Sequence, residues 1–209
     1  MQSILQESKS IKQQADDFLK DSGVLLTLQN FGKVRLAGSY DLDLMLTPDI
    51  DIYVNNPRDD KNVVIKALNT FIQQGYFNGY LFYDFIRFHK KGFPDGYYIG
   101  LKTPFRDTRW KIDVWFFSKS HDANPFIDKI KQLPEDIKIT ILKLKKFRDE
   151  KLSDRVSSYC IYEAVIKNNI KTEQEFNNYL KLEQTSEKAL KEIDKSVEVK
   201  DVDEFIKNL

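Results

Sequence analysis

Two aspartates alternate with large apolar residues in one segment, and this alternation limits what the chain can fold into. The segment reads DIDIYV and covers residues 49–54. Successive side chains of a β-strand point to opposite faces of the strand. Asp49 and Asp51 are therefore predicted on one face, with Ile50 and Ile52 on the other. The two carboxylates thus share one patch on the polar side of a strand.

A third aspartate lies on a later predicted strand, in which Lys111, Asp113 and Trp115 share one face. Apolar residues flank Asp113, and a buried carboxylate without a partner is costly, so Asp113 is expected to need a cation. If this strand is a neighbour of the first, with the acidic faces in register, three carboxylates converge. Hard divalent ions such as Mg²⁺, or Mn²⁺ in its place, favour such an all-oxygen site.

A Gly-Ser turn precedes these acids. Gly38 and Ser39 follow a short apolar strand and come before a short helical stretch that ends at Pro48. In this position, exposed backbone amides and a hydroxyl can hold phosphate oxygens, and the glycine lets the backbone approach the ligand closely. A metal-binding set of acids beside a phosphate-binding turn indicates phosphoryl or nucleotidyl transfer.

The spacing of apolar residues divides the chain into two regions. Two helices are predicted before the first strand, and a further helix is predicted to end at Gly75. Strands are then predicted over residues 80–88, 97–102 and 110–117. From Asn124 onward only helical spacing remains, and Thr172 with Glu175 forms a capping box. The prediction is an α/β (α+β) fold, with a core over residues 1–122 and a helical C-terminal region over residues 123–209.

Charge and composition exclude several classes of function. The 33 basic and 32 acidic residues leave a net charge of +1, which provides no general attraction for duplex DNA. The first residues lack the pattern of a signal peptide, and Cys160 is the only cysteine, so a cytoplasmic location is expected. No apolar run approaches the roughly 20 residues that cross a bilayer, so no membrane partner is expected.

The string LAGSYDLDLMLTPDIDIYV resembles the signature of the DNA polymerase beta-like nucleotidyltransferase superfamily. That signature combines a Gly-Ser, a spacer, an Asp-x-Asp on a strand and a third acid on a later strand. Here nine residues separate Ser39 from Asp49, and the segment KIDVWFF contains Asp113. The resemblance covers about residues 33–118. The minimal and the antibiotic-modifying nucleotidyltransferases are nearest in size.

The resemblance implies a mixed β-sheet flanked by helices, with a helical C-terminal region that closes over the site. It also implies Mg²⁺ and a nucleoside triphosphate donor such as ATP. Gly38 and Ser39 would contact the triphosphate, and Asp49 and Asp51 would hold the metal. Asp113 would complete the metal site and help to activate the acceptor hydroxyl.

The sequence departs from the family pattern directly after the Gly-Ser. Many relatives carry an arginine there, whereas this chain has Tyr40 followed by Asp41 and Asp43, two acids expected to face solvent. The basic partner of the phosphates is therefore expected elsewhere, with Arg35, Lys111 and the basic cluster of residues 143–148 as candidates. The normal expectation for the lysines of that cluster is a solvated helix face.

Glu163 is a further candidate for the active site. On a predicted helix it shares a face with Tyr159, Cys160 and Ile166, where partial burial would raise its pKa and suit it to act as a general base. The alternative interpretation is an ion pair with Lys167 at the surface.

Together these features predict transfer of a nucleoside monophosphate from a triphosphate to a hydroxyl of a small molecule, with a protein or RNA acceptor left open. One alternative is an inactive nucleotidyltransferase fold that binds nucleotide or acts as a toxin-antitoxin partner. The presence of all three acids argues against this alternative, because a cluster of carboxylates destabilises the fold and an inactive site has no physical reason to keep it. Another alternative is a metal-dependent nuclease or a sugar transferase that uses the Asp-x-Asp. The Gly-Ser turn favours nucleotidyl transfer over both. The aromatic residues between 76 and 98 are predicted to pack the sheet, and some of them to line an acceptor pocket.

Overall fold

The computed structural model describes residues 3–56, 59–90, 93–118, 127–152 and 156–182. Helices and strands are mixed over residues 4–117, and helices follow in the later described residues. In chain order they are α1 (Ile4–Ser22), α2 (Val24–Gln29), β1 (Lys33–Ala37), α3 (Gly38–Asp41), β2 (Asp49–Asn55), α4 (Lys61–Gln74), β3 (Gly79–Asp84), β4 (Tyr97–Phe105), β5 (Thr108–Phe117), α5 (Ile127–Lys131), α6 (Glu135–Lys151) and α7 (Ser158–Asn168).

Two helices precede the first strand, as predicted. Helix α1 begins with a capping box between Ser3 and Gln6, in which each side chain bonds the backbone N–H of the other residue. The helix ends at Gly23, whose φ of 62° is the left-handed conformation that glycine adopts easily. Ala15 and Phe18 on the apolar stripe of α1 are fully buried, so this helix covers the core.

The five strands form one mixed sheet in the order β1-β2-β5-β4-β3. Strands β2 and β5 run parallel, and the other neighbouring pairs are antiparallel. A mixed sheet flanked by helices confirms the predicted fold class. The parallel pair lies inside the sheet and carries all three aspartates that the sequence selected.

The two faces of the sheet differ in chemistry. On one face, alternate residues of β2 and β5 such as Ile52 and Val114 are fully buried in the core with α1, α2 and α4. Trp110 also lies on this face, and Phe18 of α1 stacks on it with ring centroids 5.2 Å apart. The other face carries the acids and an aromatic cluster, which consists of Phe85, Tyr98, Trp115 and Phe117.

Two strands end at positions that differ from the prediction. Strand β3 stops at Asp84 instead of reaching Phe88, because the Asp84 carboxylate accepts a hydrogen bond from the Arg87 backbone N–H and starts a turn. Strand β4 continues to Phe105 and past the predicted end. Because β3 pairs with β4 only as far as Lys102, Pro104 lies where β4 has an open edge, which is where a sheet tolerates proline.

The chain divides into two compact units, Met1–Lys146 and Phe147–Leu209. The first contains the whole sheet. The second contains α7 and the predicted capping box, in which Thr172 and Glu175 bond each other's backbone N–H groups. The predicted domain boundary near residue 122 falls in residues 119–126, outside the described residues, and stays a prediction. The closing role of the helical region stays a prediction as well.

In the described parts of the chain, none of the helices combines the length and the apolar character that crossing a bilayer requires. The cytoplasmic location stays a prediction.

Candidate active site

The three predicted acids lie on neighbouring strands. In the parallel register of β2 and β5, Asp51 is the partner of Asp113, and Asp49 is the partner of Lys111. Neighbouring strands are about 4.8 Å apart, and these side chains point to the same face of the sheet. The condition that the sequence left open, adjacent strands with their acidic faces in register, is therefore met.

Gly38 lies directly against one of these carboxylates. Its φ of 61° is in the left-handed region, and a Cβ atom at this position would overlap Oδ2 of Asp51. Ala37, the residue before it, pairs with Asp51 across β1 and β2. The Gly-Ser turn therefore contacts the acids at its first residue, and Ser39 lies in the first turn of the short helix α3.

The acids carry more negative charge than the described surroundings compensate. Burial, followed by the charge of Asp113, raises the pKa of Asp49 to about 6. Burial, followed by the charges of Asp49 and Asp113, raises the pKa of Asp51 to about 7. Lys111 and Lys145 act in the opposite direction on both groups without cancelling the effect. The site therefore favours binding of additional positive charge.

Lys111 supplies part of that charge. Its Nζ donates to Oδ2 of Asp113 at 2.5 Å and lies 3.7 Å from Oδ2 of Asp49. Burial alone would lower the pKa of Lys111, but the hydrogen bond to Asp113 and the charges of the acids raise it overall. The ammonium therefore stays charged and acts as an internal counter-ion between two of the acids.

Tyr98 holds the other oxygen of Asp113. Its hydroxyl donates to Oδ1 at 2.6 Å, and burial together with this bond raises the pKa of the phenol, so Tyr98 stays a donor. Gly100 makes this contact possible. It lies opposite Asp113 on β4, and a Cβ atom there would press on the Tyr98 hydroxyl. No local pattern in the sequence predicts this bond.

The donor set fits a divalent cation once Lys111 moves aside. Among the described residues, no group of three His, Cys, Asp or Glu side chains is arranged to hold a metal as it stands, and Lys111 lies between two of the candidate ligands. However, Oδ1 of Asp49 is buried and has no hydrogen-bond partner among the described residues. A buried carboxylate oxygen without a partner is costly, and carboxylate oxygens are the ligands that Mg²⁺ prefers.

Lys145 is the second cation near the acids. It is only 4% exposed, and its Nζ donates to the Leu44 carbonyl at 2.6 Å. Its charge lowers the pKa of Asp49 and of Asp51, which places it near both. The expectation that the lysines of this cluster form a solvated face is therefore wrong for Lys145. The neighbouring Lys146 does reach the surface, where it pairs with Glu7 at 3.1 Å.

The two acids that follow the Gly-Ser turn are paired with lysines. Asp41 accepts from Lys131 at 2.9 Å, and Asp43 forms an ion pair with Lys12. Both acids were expected to face solvent: Asp43 does, at 59% exposed, whereas Asp41 is only partly exposed, at 26%. Because each carries a cationic partner, their charge is largely neutralised beside the turn.

Glu163 forms the ion pair that was the alternative interpretation. On α7 in the second unit, its Oε1 accepts from Nζ of Lys167 at 2.6 Å, one helical turn away. A role for Glu163 as general base stays a prediction. Of the two histidines, His89 pairs with Asp95 at 2.6 Å, and His121 lies outside the described residues.

Comparisons with known proteins add evidence on the fold. No family model matches the sequence, and a search of curated proteins found no match. Among solved structures, the chain is similar to a chain of the poly(A) polymerase complex GLD-2/GLD-3, with a TM-score of 0.55 and 10% sequence identity. The match covers 79% of this chain and 58% of the matched chain, so this chain spans little more than half the length of its neighbour. At this identity the likeness shows a shared fold and nothing further.

Proposed function

We propose that this chain transfers a nucleoside monophosphate from a nucleoside triphosphate to a hydroxyl group. The observation that carries the proposal is the register of β2 and β5, which brings Asp49, Asp51 and Asp113 together beside the backbone of Gly38. The shared fold supports it, because the solved neighbour with this fold belongs to a poly(A) polymerase complex.

In this proposal Asp49, Asp51 and Asp113 hold Mg²⁺ or Mn²⁺. Bound there, a divalent ion neutralises phosphate charge and lowers the pKa of the acceptor hydroxyl. The backbone of Gly38 and the hydroxyl of Ser39 orient the triphosphate. Among the described residues, Lys145 and Lys111 are cations that act on Asp49 and Asp51, and we assign them to the phosphate oxygens. ATP is one donor that these groups would accept.

The chain's own residues account for the proton that the transfer releases. The acceptor oxygen forms a bond to the α-phosphorus while the bond from that phosphorus to the bridging oxygen breaks, and pyrophosphate leaves. The proton of the acceptor hydroxyl passes to a carboxylate, for which we propose Asp113, with Glu163 as the predicted alternative. Tyr98 keeps Asp113 oriented by its hydrogen bond to Oδ1.

One observation favours a second candidate, a protein that binds nucleotide without transferring it. Both oxygens of Asp113 already have partners, namely Tyr98 and Lys111. A cation held by Asp113 requires Lys111 to leave. If Lys111 stays in place, the chain binds the nucleotide and no turnover follows.

Calorimetric titration with MgATP tests the site. We expect Asp49→Asn and Asp51→Asn to lose Mg²⁺-dependent affinity, because each variant removes a charged ligand. Asp95→Asn is the matched control, since Asp95 is 69% exposed and pairs with His89 away from the acids. Unchanged Mg²⁺-dependent affinity in both site variants would rule out the metal site. Normal binding by the wild-type protein without pyrophosphate release would favour the second candidate.

A further inference from the structure

The aromatic cluster connects the acids to the open edge of the sheet. Tyr98, which bonds Asp113, packs on Trp115 with ring centroids 5.1 Å apart and on Tyr83 with centroids 5.8 Å apart. Tyr83 lies on the edge strand β3 and is 49% exposed. A continuous row of ring contacts therefore begins at a proposed catalytic carboxylate and ends at an exposed ring.

A pocket opens at this end of the row. It has a volume of about 330 Å³, and its lining consists of Lys61, Phe82, Tyr83, Asp84, Phe85 and Phe88. Tyr83 and Phe85 are nearly parallel, with ring centroids 5.4 Å apart and an angle of 22° between the planes. Phe88 is 65% exposed. Parallel rings beside a cavity of this size form a site for a planar ring.

Cations accompany the rings around the pocket. Lys61 lies 5.7 Å from the centroid of Phe82, and Arg87 lies 5.2 Å from that of Phe88. Lys90 lies 4.5 Å from the centroid of Phe93, a half-exposed ring that stacks on the cluster. Lys61 and Asp84, the one acid of the pocket lining, neutralise each other at 2.8 Å, so the positive charge beside the rings comes from Arg87 and Lys90. The edge therefore combines stacking surfaces with positive charge, which is the chemistry that binds unpaired nucleobases and their phosphates.

The distance between the pocket and the acids sets the size of the ligand. Tyr83 lies two strands from Trp115 across the sheet, and Asp113 lies two residues from Trp115 along β5. With strands about 4.8 Å apart and a rise of about 3.3 Å per residue, the Cα atoms of Tyr83 and Asp113 are about 12 Å apart. A small acceptor with its ring in the pocket cannot also place its hydroxyl at Asp113. A chain of more than one nucleotide spans this distance.

We propose that the acceptor is the terminal hydroxyl of a single-stranded nucleic acid, with an upstream base stacked on Tyr83 in the pocket that Phe88 also lines. The proposal rests on the function proposed above and names the acceptor of the same site. Base-paired ends are excluded because paired bases stack on one another and do not present their faces to protein rings. The bonds formed and broken, and the fate of the proton, are those given above.

Fluorescence anisotropy with a labelled oligo(A) of about ten nucleotides tests the proposal without metal or triphosphate. We expect Tyr83→Ala and Phe88→Ala each to weaken binding by about 5- to 150-fold. Tyr83→Phe keeps the ring, so its affinity should stay within about twofold of wild type. Leu26→Ala is the control for an exposed apolar residue, since Leu26 is 71% exposed on α2. Added salt should weaken wild-type binding, because bound cations release counter-ions from the phosphates.

Two results would overturn the proposal: no oligo(A) binding by the wild-type protein, or equal affinity in wild type, Tyr83→Ala and Phe88→Ala. Transfer to a small hydroxyl compound that is insensitive to Tyr83→Ala would overturn it as well and would leave the transferase function standing. Conversely, ring-dependent binding of oligo(A) by a protein that does not bind MgATP would support the single-strand surface and overturn the transferase function. Titration of Tyr83→Ala with MgATP separates the cases, because this variant should bind MgATP normally.

Discussion

Replacing Asp51 with asparagine keeps the shape of the side chain and removes one of the three negative charges on β2 and β5. In the folded chain this carboxylate is buried beside Asp49 and Asp113, which raises its pKa from 3.8 to about 7. In the unfolded chain it is an ordinary aspartate. Ionised Asp51 therefore destabilises the metal-free fold, and we expect Asp51→Asn to be more stable than the wild type at neutral pH.

The size of this gain follows from the pKa. Each pH unit of difference between folded and unfolded pKa corresponds to about 1.4 kcal/mol, so the full effect is at most about 4 kcal/mol. Water that reaches these carboxylates screens part of the charge, and we expect a gain in stability of about 2 to 4 kcal/mol. Because the folded protein binds this proton more tightly, the wild type loses stability as the pH rises from about 4 to about 7. Asp51→Asn lacks this loss, so its advantage at pH 5 is less than half of that at pH 8.

Urea denaturation at pH 5 and pH 8, with a chelator and then with Mg²⁺, measures these differences. Mg²⁺ should stabilise the wild type more than the variant, because an ion that binds only the folded state adds to its stability. Asp84→Asn is a control of opposite sign. Lys61 holds the pKa of Asp84 below its usual range, so its stabilising effect is present at neutral pH and is lost as the pH falls. If Asp51→Asn is less stable than the wild type at pH 8 without metal, the reasoning about charge crowding is wrong.

Three further substitutions test individual parts of the site. In Gly38→Ala the added Cβ atom has no room beside Asp51, and the position needs a left-handed φ. The substitution should therefore cost about 1–3 kcal/mol of stability, measured by urea denaturation, and abolish MgATP binding. Normal MgATP binding would contradict the proposed role of the Gly-Ser turn. Asp113→Asn should reduce pyrophosphate release more than MgATP affinity, and equal losses would make Asp113 only another donor ligand. Lys145→Met leaves the Leu44 carbonyl without its donor, which should lower the stability of the fold by about 1–3 kcal/mol. The same variant should bind MgATP more weakly, and unchanged MgATP affinity would exclude Lys145 from phosphate binding.

Local periodicity was sufficient to predict the strands that carry the acids. The alternation around Asp51 and Asp113 fixed which face each carboxylate occupies, since a shift of one residue would have placed charge in the core. A turn signal in the sequence also explains the short β3. The Asp84 carboxylate accepts a hydrogen bond from the backbone N–H of Arg87, three residues later. This is a common turn pattern of aspartate and can be predicted from local sequence.

The contacts that define the charge of the site could not be predicted from local sequence. The bond from Tyr98 to Asp113 depends on the pairing of β4 with β5 and on the missing side chain of Gly100. The burial of Lys145 depends on a carbonyl about a hundred residues earlier in the chain. Helical spacing around Lys145 predicts a solvated face, and only tertiary packing reverses that prediction.

The fate of the phosphates of ATP tests the central claim most directly. The wild-type protein is incubated with Mg²⁺, oligo(A) and ATP that carries the radioactive label on either the α- or the γ-phosphate. Nucleotidyl transfer predicts that the α-label becomes attached to the acceptor, that the γ-label leaves as pyrophosphate, and that Asp49→Asn abolishes both. A cell extract supplies other hydroxyl acceptors in a parallel reaction. Transfer of the γ-label to an acceptor, or no release of pyrophosphate with either acceptor source, would contradict the proposed function.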